Sequence, residues 1–235
     1  MHRLLLCFAQ DRTAELEAGS TLVLAPHPDD EVLGCGGLIA RKVRRGFPVW
    51  VAYLTDGCRG VRADPSTAAA LREGEAREAA AVLGVSPHHQ FFLRFPDGRL
   101  SEFLVAATER VAALVRELGV RQLFAPYRRE YHPDHLAAYR LARACLRPGM
   151  RLYEYPVWFG PWMWRRLRGR ARVVALSHLR DAGRVVRADV SGVLELKRRA
   201  LGAYRSQVAE FDSSGWGSAF LRGFLQPYEL FFEGP

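Results

Sequence analysis

The chain has 235 residues, of which 49% are hydrophobic and 25% are charged, and this composition excludes a disordered or collagen-like protein. Lys and Arg together number 34 and Asp and Glu 25, which gives a formal net charge of +9, with arginine supplying nearly all of the cations. The excess admits a polyanionic partner, although arginine on an ordinary solvated surface would give the same charge.

Short apolar runs alternate with helix-like segments along the first two thirds of the chain. Strands are predicted at 21–25, 48–54, 90–94, 121–125 and 151–156, and helices at 31–45, 66–84, 101–118 and 133–145. Ser66 is the expected N-cap of the second helix. This alternation predicts an α/β fold, with a Rossmann-like, doubly wound and mainly parallel sheet and helices on both faces. We expect the strand order 3-2-1-4-5, which makes the first and fourth strands neighbours.

The C-terminal third is less regular than the rest. It contains an aromatic stretch at 158–164, a basic stretch at 165–172, candidate strands at 173–176 and 185–188, and a candidate helix at 193–208. We expect one domain over residues 1–235, in which a core of about 20–157 carries an elaboration of about 158–235.

A histidine and three acids follow the first predicted strand, in the sequence Pro-His-Pro-Asp-Asp-Glu at 26–31. Ligands of a doubly wound sheet bind at this carboxyl edge. Acids at a helix start also complement the helix dipole, so a purely structural role is the alternative. His27 and Asp30 can converge on one cation, and the neighbouring Asp29 can then serve as a base.

A second His/Asp motif, Tyr-His-Pro-Asp-His at 131–135, follows the fourth predicted strand and also begins a helix. In the order 3-2-1-4-5 the loops after residues 25 and 125 face each other across the switch point. A hydrolytic metal site needs three protein ligands and an open position for water. Because the second motif can supply the third ligand, the two motifs together predict a metal centre.

The paired motifs at 27–31 and 132–135 resemble the signature of the PIG-L/LmbE family of zinc-dependent N-acetylglucosaminyl deacetylases. Shorter matches lie in the family's order along the chain, so that the resemblance covers most of residues 21–207. They are 54–57, Arg72 with Glu75, 95–98, 153–156 and 204–207. The resemblance implies that an N-acetyl group is removed from an amino sugar to give acetate and a free amine.

The resemblance also implies one zinc ion per chain, with ferrous iron as the alternative metal. Its ligands would be His27, Asp30 and His135. Asp29 would be the general base, and His132 the general acid or oxyanion stabiliser, oriented by Asp134. The residues expected to contact substrate are Arg72, Asp97 and Arg129. Since Arg128 and Arg129 precede the second motif, we expect an electropositive rim that favours an anionic aglycone.

The sequence is also compatible with other classes of function. The glycines at 34, 36 and 37 follow a strand as in a dinucleotide site, but they begin too late, and the acids would repel a pyrophosphate. The Trp- and Arg-rich segment 158–172 could contact an anionic polymer or a membrane surface, which would suit a lipid-linked amino sugar. No groove-reading motif accompanies it, so we expect no nucleic-acid partner. Four cysteines without a C-x-x-C pair, and no long apolar run, predict a cytoplasmic protein.

Overall fold

A computed structural model describes residues 5–158, 180–213 and 217–234, with side chains described outside 210–220. Within these ranges eight strands form one mixed sheet of order β1-β7-β8-β6-β5-β2-β3-β4. The strands are β1 (Gln10–Asp11), β2 (Thr21–Ala25), β3 (Val49–Thr55), β4 (Gln90–Phe95), β5 (Gln122–Pro126), β6 (Arg151–Tyr155), β7 (Val185–Asp189) and β8 (Tyr228–Glu233).

The five predicted core strands are β2 to β6, and their observed order confirms the expected 3-2-1-4-5 arrangement. All four neighbouring pairs among them are parallel. The sheet then continues beyond β6, where β8 runs antiparallel to both β6 and β7, and β1 pairs in parallel with β7. Strands β1 and β8 were not predicted, and β8 makes the sheet mixed at this end.

Helices cover both faces of the sheet, as expected. They are α1 (Thr13–Glu17), α2 (Asp30–Arg44), α3 (Pro65–Leu83), α4 (Leu104–Leu118), α5 (Pro133–Cys145), α6 (Leu194–Ala203), α7 (Arg205–Ser213) and α8 (Gly217–Phe224). One apolar cluster joins α2, α3 and α6 to the sheet, and a second joins α4 and α5 to its opposite face. The burial of these two apolar layers is the main source of stability.

Two helix boundaries differ from the sequence prediction. The N-cap of α3 is Asp64, not Ser66, because the Asp64 carboxylate accepts the backbone N–H groups of Ser66 and Thr67 at 3.1 Å each. The single helix expected at 193–208 is interrupted at Tyr204, whose φ of −79° and ψ of 60° are not helical. The interruption separates α6 from α7 and directs the Tyr204 side chain into the interior, where it is fully buried.

The glycine run of α2 serves close packing. A Cβ atom at Gly34 would lie 2.2 Å from the ring of Tyr155, and one at Gly37 would lie 2.6 Å from Val190. Any larger residue would push α2 away from the sheet and from the segment that follows β7. Close packing therefore explains the glycine run, and no dinucleotide site is needed to account for it.

Part of the C-terminal prediction lies outside the described residues. This applies to the strand expected at 173–176 and to most of the Trp- and Arg-rich segment 158–172. The strand expected at 185–188 is confirmed as β7. Among the helices that the structure describes, none has both the length and the apolar character needed to cross a bilayer. The division into a core and an elaboration stays a prediction, although β7 and β8 extend the same sheet.

Candidate metal centre

The two His/Asp motifs meet at the carboxyl edge of the sheet. Strands β2 and β5 are parallel neighbours, and each is followed by a loop that leads into a helix, α2 or α5. The ring of His27 lies 4.7 Å from that of His132 and 5.4 Å from that of His135, measured between centroids. The topology therefore brings together residues that are more than a hundred positions apart, as the strand order predicted.

The three predicted ligands present their donor atoms to one another. Oδ2 of Asp30 lies 3.1 Å from Nδ1 of His27 and 3.2 Å from Nε2 of His135. Ligands held about 2.0–2.1 Å from a tetrahedral zinc ion lie about 3.3–3.4 Å apart. Both Asp30 distances are close to this value, so Asp30 lies between the two predicted histidine ligands at a spacing that one zinc ion could bridge. One nitrogen each of His27, His132 and His135 also lie within 4.8 Å of one another, which makes His132 a further potential donor.

His135 supplies an independent indication of a missing partner. Its side chain is fully buried, and neither ring nitrogen has a hydrogen-bond partner among the described residues. Nε2 faces Asp30, and Nδ1 faces Oε2 of Glu130 at 3.9 Å. Buried polar atoms are normally paired, so an orphaned imidazole between two carboxylates fits a ligand for a divalent cation.

His27 is surrounded by carboxylates on both sides of its ring. Nδ1 faces Asp30, whereas Nε2 lies 3.2 Å from Oδ2 of Asp134 and 3.3 Å from Oδ1 of Asp97. Burial disfavours the charged imidazolium, but the hydrogen bonds from these three acids outweigh it and raise the pKa of His27 well above its usual value. Asp97 is therefore buried against His27, and its contact with substrate stays a prediction.

Asp134 contacts His27 and His132 through different atoms. Its carboxylate accepts the N–H groups of Gly98 at 2.7 Å and Leu100 at 3.0 Å, and it faces Nε2 of His27. Its backbone N–H donates to Nδ1 of His132 at 3.3 Å. The expected orientation of His132 by Asp134 thus runs through the main chain. Burial lowers the pKa of His132 to about 4, which favours the neutral ring.

Asp29 lies at the start of α2 beside the predicted ligands. Burial raises the pKa of its carboxyl to about 6, while the nearby Arg72 opposes this shift. Nη2 of Arg72 lies 3.5 Å from Oδ2 of Asp29 and donates to the carbonyl oxygen of Pro28. Only 2% of Arg72 is exposed, so the structure places it beneath Asp29, and its contact with substrate stays a prediction.

A cavity of about 350 Å³ opens above these residues, within the size range of small-molecule sites. Its lining includes both motifs and side chains from later in the chain: His27, Asp29, Asp97, His132, Trp158 and Gln207. The ring of Trp158 lies nearly parallel to that of His132, with centroids 6.4 Å apart. Together these walls form an acidic floor and a partly aromatic side, a lining that suits a sugar ring.

The two arginines that were expected to form an electropositive rim, Arg128 and Arg129, are both paired with nearby acids. Nε of Arg129 donates to Oδ2 of Asp181 at 2.9 Å, and Arg128 pairs with both Asp181 and Glu154. These two cations are therefore compensated by acids close to them. The role of Arg129 in substrate binding stays a prediction, and the basic stretch 165–172 lies outside the described residues.

Sequence reasoning missed two buried supports of the site. The carboxylate of Glu130 accepts the backbone N–H groups of Val157 at 2.7 Å and Trp158 at 2.9 Å. The hydroxyl of Tyr204 donates to Glu31, and in the sequence Tyr204 stood out only as part of the short match at 204–207. Glu130 lies in the loop that leads into the second motif. The sequence signal that could have singled it out was a lone acid directly after Arg128 and Arg129.

The chain is similar to known proteins in both sequence and fold. Residues 22–146, just over half of the chain, match the family model described as PIG-L: GlcNAc-PI de-N-acetylase. The chain belongs to the PIG-L family. It is 33% identical, over 229 residues, to 1D-myo-inositol 2-acetamido-2-deoxy-alpha-D-glucopyranoside deacetylase of Saccharomonospora viridis, covering 80% of this chain and 84% of that protein.

Two further proteins are similar to the chain, one in sequence and one in fold. The chain is 31% identical, over 199 residues, to the Bacillus cereus protein named "Probable N-acetyl-alpha-D-glucosaminyl L-malate deacetylase 2", covering 79% of this chain and 82% of that one. The solved N,N'-diacetylchitobiose deacetylase from Pyrococcus horikoshii superposes with a TM-score of 0.72 at 22% identity, covering 99% of this chain and 90% of that chain. At this identity the superposition shows the fold. The named relatives are deacetylases of N-acetylglucosamine-type sugars.

Proposed function

We propose that this PIG-L family chain is a metal-dependent hydrolase that removes the N-acetyl group from an N-acetylglucosamine-type conjugate. The observation that carries the proposal is the meeting of Asp30 with His27 and with the buried His135, next to a cavity that His27, Asp29 and Asp30 line. Metal-assisted amide hydrolysis requires three protein ligands, an open fourth position on the metal and a nearby carboxylate that does not bind the metal.

His27, Asp30 and His135 would hold zinc, or ferrous iron as the alternative. When bound, such an ion polarises the acetamide carbonyl and lowers the pKa of water. The protein contributes Asp29 as the general base, since its buried carboxylate stands beside the ligands and outside the ligand set. A base with a raised pKa is better matched to proton transfer near neutral pH than an ordinary aspartate.

His132 lines the same cavity and is the N-cap residue of α5. Its Nδ1 accepts the backbone N–H of Asp134, which places the proton of the neutral ring on Nε2. From there the neutral ring can donate a hydrogen bond to the oxygen that becomes negative as the carbonyl is attacked, and the proton that Asp29 takes from water can then pass to the departing amine. The products are acetate and the free amino sugar.

The proposal extends to zinc as the metal, a cytoplasmic location and a small-molecule amino-sugar substrate. The deacetylase relatives support the substrate class, and the cavity of about 350 Å³ supports recognition of one sugar ring. A lipid-linked substrate and a peripheral membrane contact are proposed only on the basis of the Trp- and Arg-rich segment 158–172, which could contact a membrane surface. An anionic aglycone loses support, because Arg128 and Arg129 are paired with acids.

A deacetylation screen of the zinc-loaded chain tests the proposal. The substrates are N-acetylglucosamine, its inositol and malate glycosides, and diacetylchitobiose, and both free amine and acetate are measured. We expect equimolar release of the two products from at least one conjugate, and loss of this release after chelation. Zinc-loaded protein that releases acetate from none of them would contradict the proposal.

A further inference from the structure

Asp29 has a backbone conformation that side-chain-bearing residues rarely adopt. Its φ is 126°, and among the described residues only Arg94 shares a positive φ without being glycine. Such a conformation is unfavourable by itself and persists only where the surroundings fix it. The contacts that fix this conformation therefore also fix the position of the proposed base.

Hydrogen bonds hold the peptide groups on both sides of Asp29. Its backbone N–H donates to Oε2 of Glu31 at 3.1 Å, and its carbonyl accepts the N–H groups of Val32 and Leu33 at 3.1 and 2.9 Å. The carbonyl of the preceding Pro28 accepts from Nη2 of Arg72. The peptide groups before and after the strained residue are thus both anchored.

Glu31 is itself fixed from a distant part of the chain. Only 1% of this residue is exposed, and its second oxygen, Oε1, accepts the hydroxyl groups of Tyr204 and, at 3.3 Å, Tyr53. Tyr204 lies at the interruption between α6 and α7, more than 170 positions after Glu31. A buried carboxylate with hydroxyl donors on one oxygen and a backbone donor on the other has little freedom to move.

We propose that Glu31, Tyr204 and Arg72 are positioning residues that hold the Asp29 carboxylate in its reactive place by clamping its strained backbone. This inference rests on the proposed function, since it assigns their role relative to the proposed base. Tyr204 is not among the residues that line the cavity, and its hydroxyl donates to Glu31 and not to a predicted metal ligand. Its hydroxyl can therefore be removed without altering the metal site directly.

The first test compares Tyr204→Phe with Tyr153→Phe in the zinc-loaded chain. Tyr153 is a matched control because its buried hydroxyl also donates to a glutamate, Glu15, at 3.0 Å. Tyr204→Phe should lower kcat by about 10–100-fold, because a misplaced reacting group costs up to about that much, and should leave KM and zinc affinity unchanged. Tyr153→Phe should keep the parental kcat. Equal kcat values in the two variants would overturn the clamp.

The second test measures the unfolding temperature and does not depend on enzymatic activity. Glycine tolerates φ of 126° whereas alanine does not, so Asp29→Gly should unfold at a temperature about 3 °C or more above Asp29→Ala. The difference should shrink when each is combined with Tyr204→Phe, since the released backbone can relax. A difference that is absent, or unaffected by Tyr204→Phe, contradicts the clamp.

The two tests separate the clamp from the proposed deacetylation. If the parent hydrolyses no substrate, the proposed function fails, and the melting temperatures still decide whether Asp29 is clamped. If the parent is active and Tyr204→Phe behaves like Tyr153→Phe, the function stands and the clamp fails.

Discussion

Glu130 should control how tightly the proposed site binds zinc. Its buried carboxylate accepts two backbone N–H groups, from Val157 and Trp158, and Oε2 faces the unpartnered Nδ1 of His135 at 3.9 Å. Glu130→Gln keeps the size of the side chain and one acceptor oxygen. It replaces the other oxygen with an amide NH₂ group, a donor that cannot accept from His135 or Trp158.

The expected loss of zinc affinity follows from the position of the Glu130 carboxylate, which faces Nδ1 of His135. A histidine that binds metal through one nitrogen usually donates from the other, and loss of the acceptor costs about 10–100-fold in metal affinity. We therefore expect the zinc dissociation constant of Glu130→Gln to rise by about 10–100-fold, or about 1.4–2.7 kcal/mol. Glu130→Ala should also lose folding stability, because the two backbone N–H groups would lack their acceptor at about 1–3 kcal/mol each.

Competition with a chromophoric chelator measures zinc affinity directly at fixed pH. Glu154→Gln is the matched control, because Glu154 is also buried and accepts the backbone N–H of Arg128 at 3.0 Å on the same loop. It does not face a predicted ligand, so its zinc affinity should equal that of the parent. If Glu130→Gln also binds zinc as tightly as the parent, the orientation of His135 by Glu130 is refuted.

Other expected outcomes concern the proposed base, one proposed ligand and a buried lysine. Asp29→Asn should keep one equivalent of zinc by elemental analysis but lose about 10²–10⁴-fold in kcat, and parental turnover would remove Asp29 from the base role. His135→Ala should lose its zinc on dialysis, and retention of a full equivalent would contradict its role as a ligand. Lys42→Met should lose about 2–4 kcal/mol and about 5–15 °C in Tm, because Nζ donates to the carbonyls of Glu17 and Gly19 at 3.1 Å each. Calorimetry with the exposed Arg44→Met as control measures this loss, and equal Tm values would contradict it.

The core of the sheet could be predicted because its signals are local and periodic. Each of the strands β2 to β6 is a short apolar run separated from the next by a helix, and the parallel order follows from the handedness of such units. Strands β1 and β8 carry no comparable signal. Strand β1 has two residues, and β8 inserts antiparallel between β6 and β7 after a long stretch of chain, a pairing that no local pattern specifies.

The members of the candidate site could likewise be predicted, but not their contacts. Topology alone places both motifs at one edge of the sheet, whereas side-chain directions decide which atoms meet. The carboxylate of Asp134 turns toward His27, because the N–H groups of Gly98 and Leu100 hold it there. The pairing of Arg129 with Asp181, fifty-two positions later, was equally invisible in the sequence. The formal charge of Arg128 and Arg129 therefore did not reveal that nearby acids compensate both of them.

The contacts that support the two motifs come from beyond the segment that defines the family match. That match ends at residue 146, yet Glu130 is held by the chain at Val157 and Trp158, and Glu31 is held by Tyr204. Tyr155 packs against the glycine face of α2, the helix that carries Asp30. A chain that ended after the matched segment would keep every proposed ligand and base but lose the groups that orient them. Because catalytic geometry depends on such orientation, we expect the contacts made by Val157, Trp158 and Tyr204 to be needed for full activity.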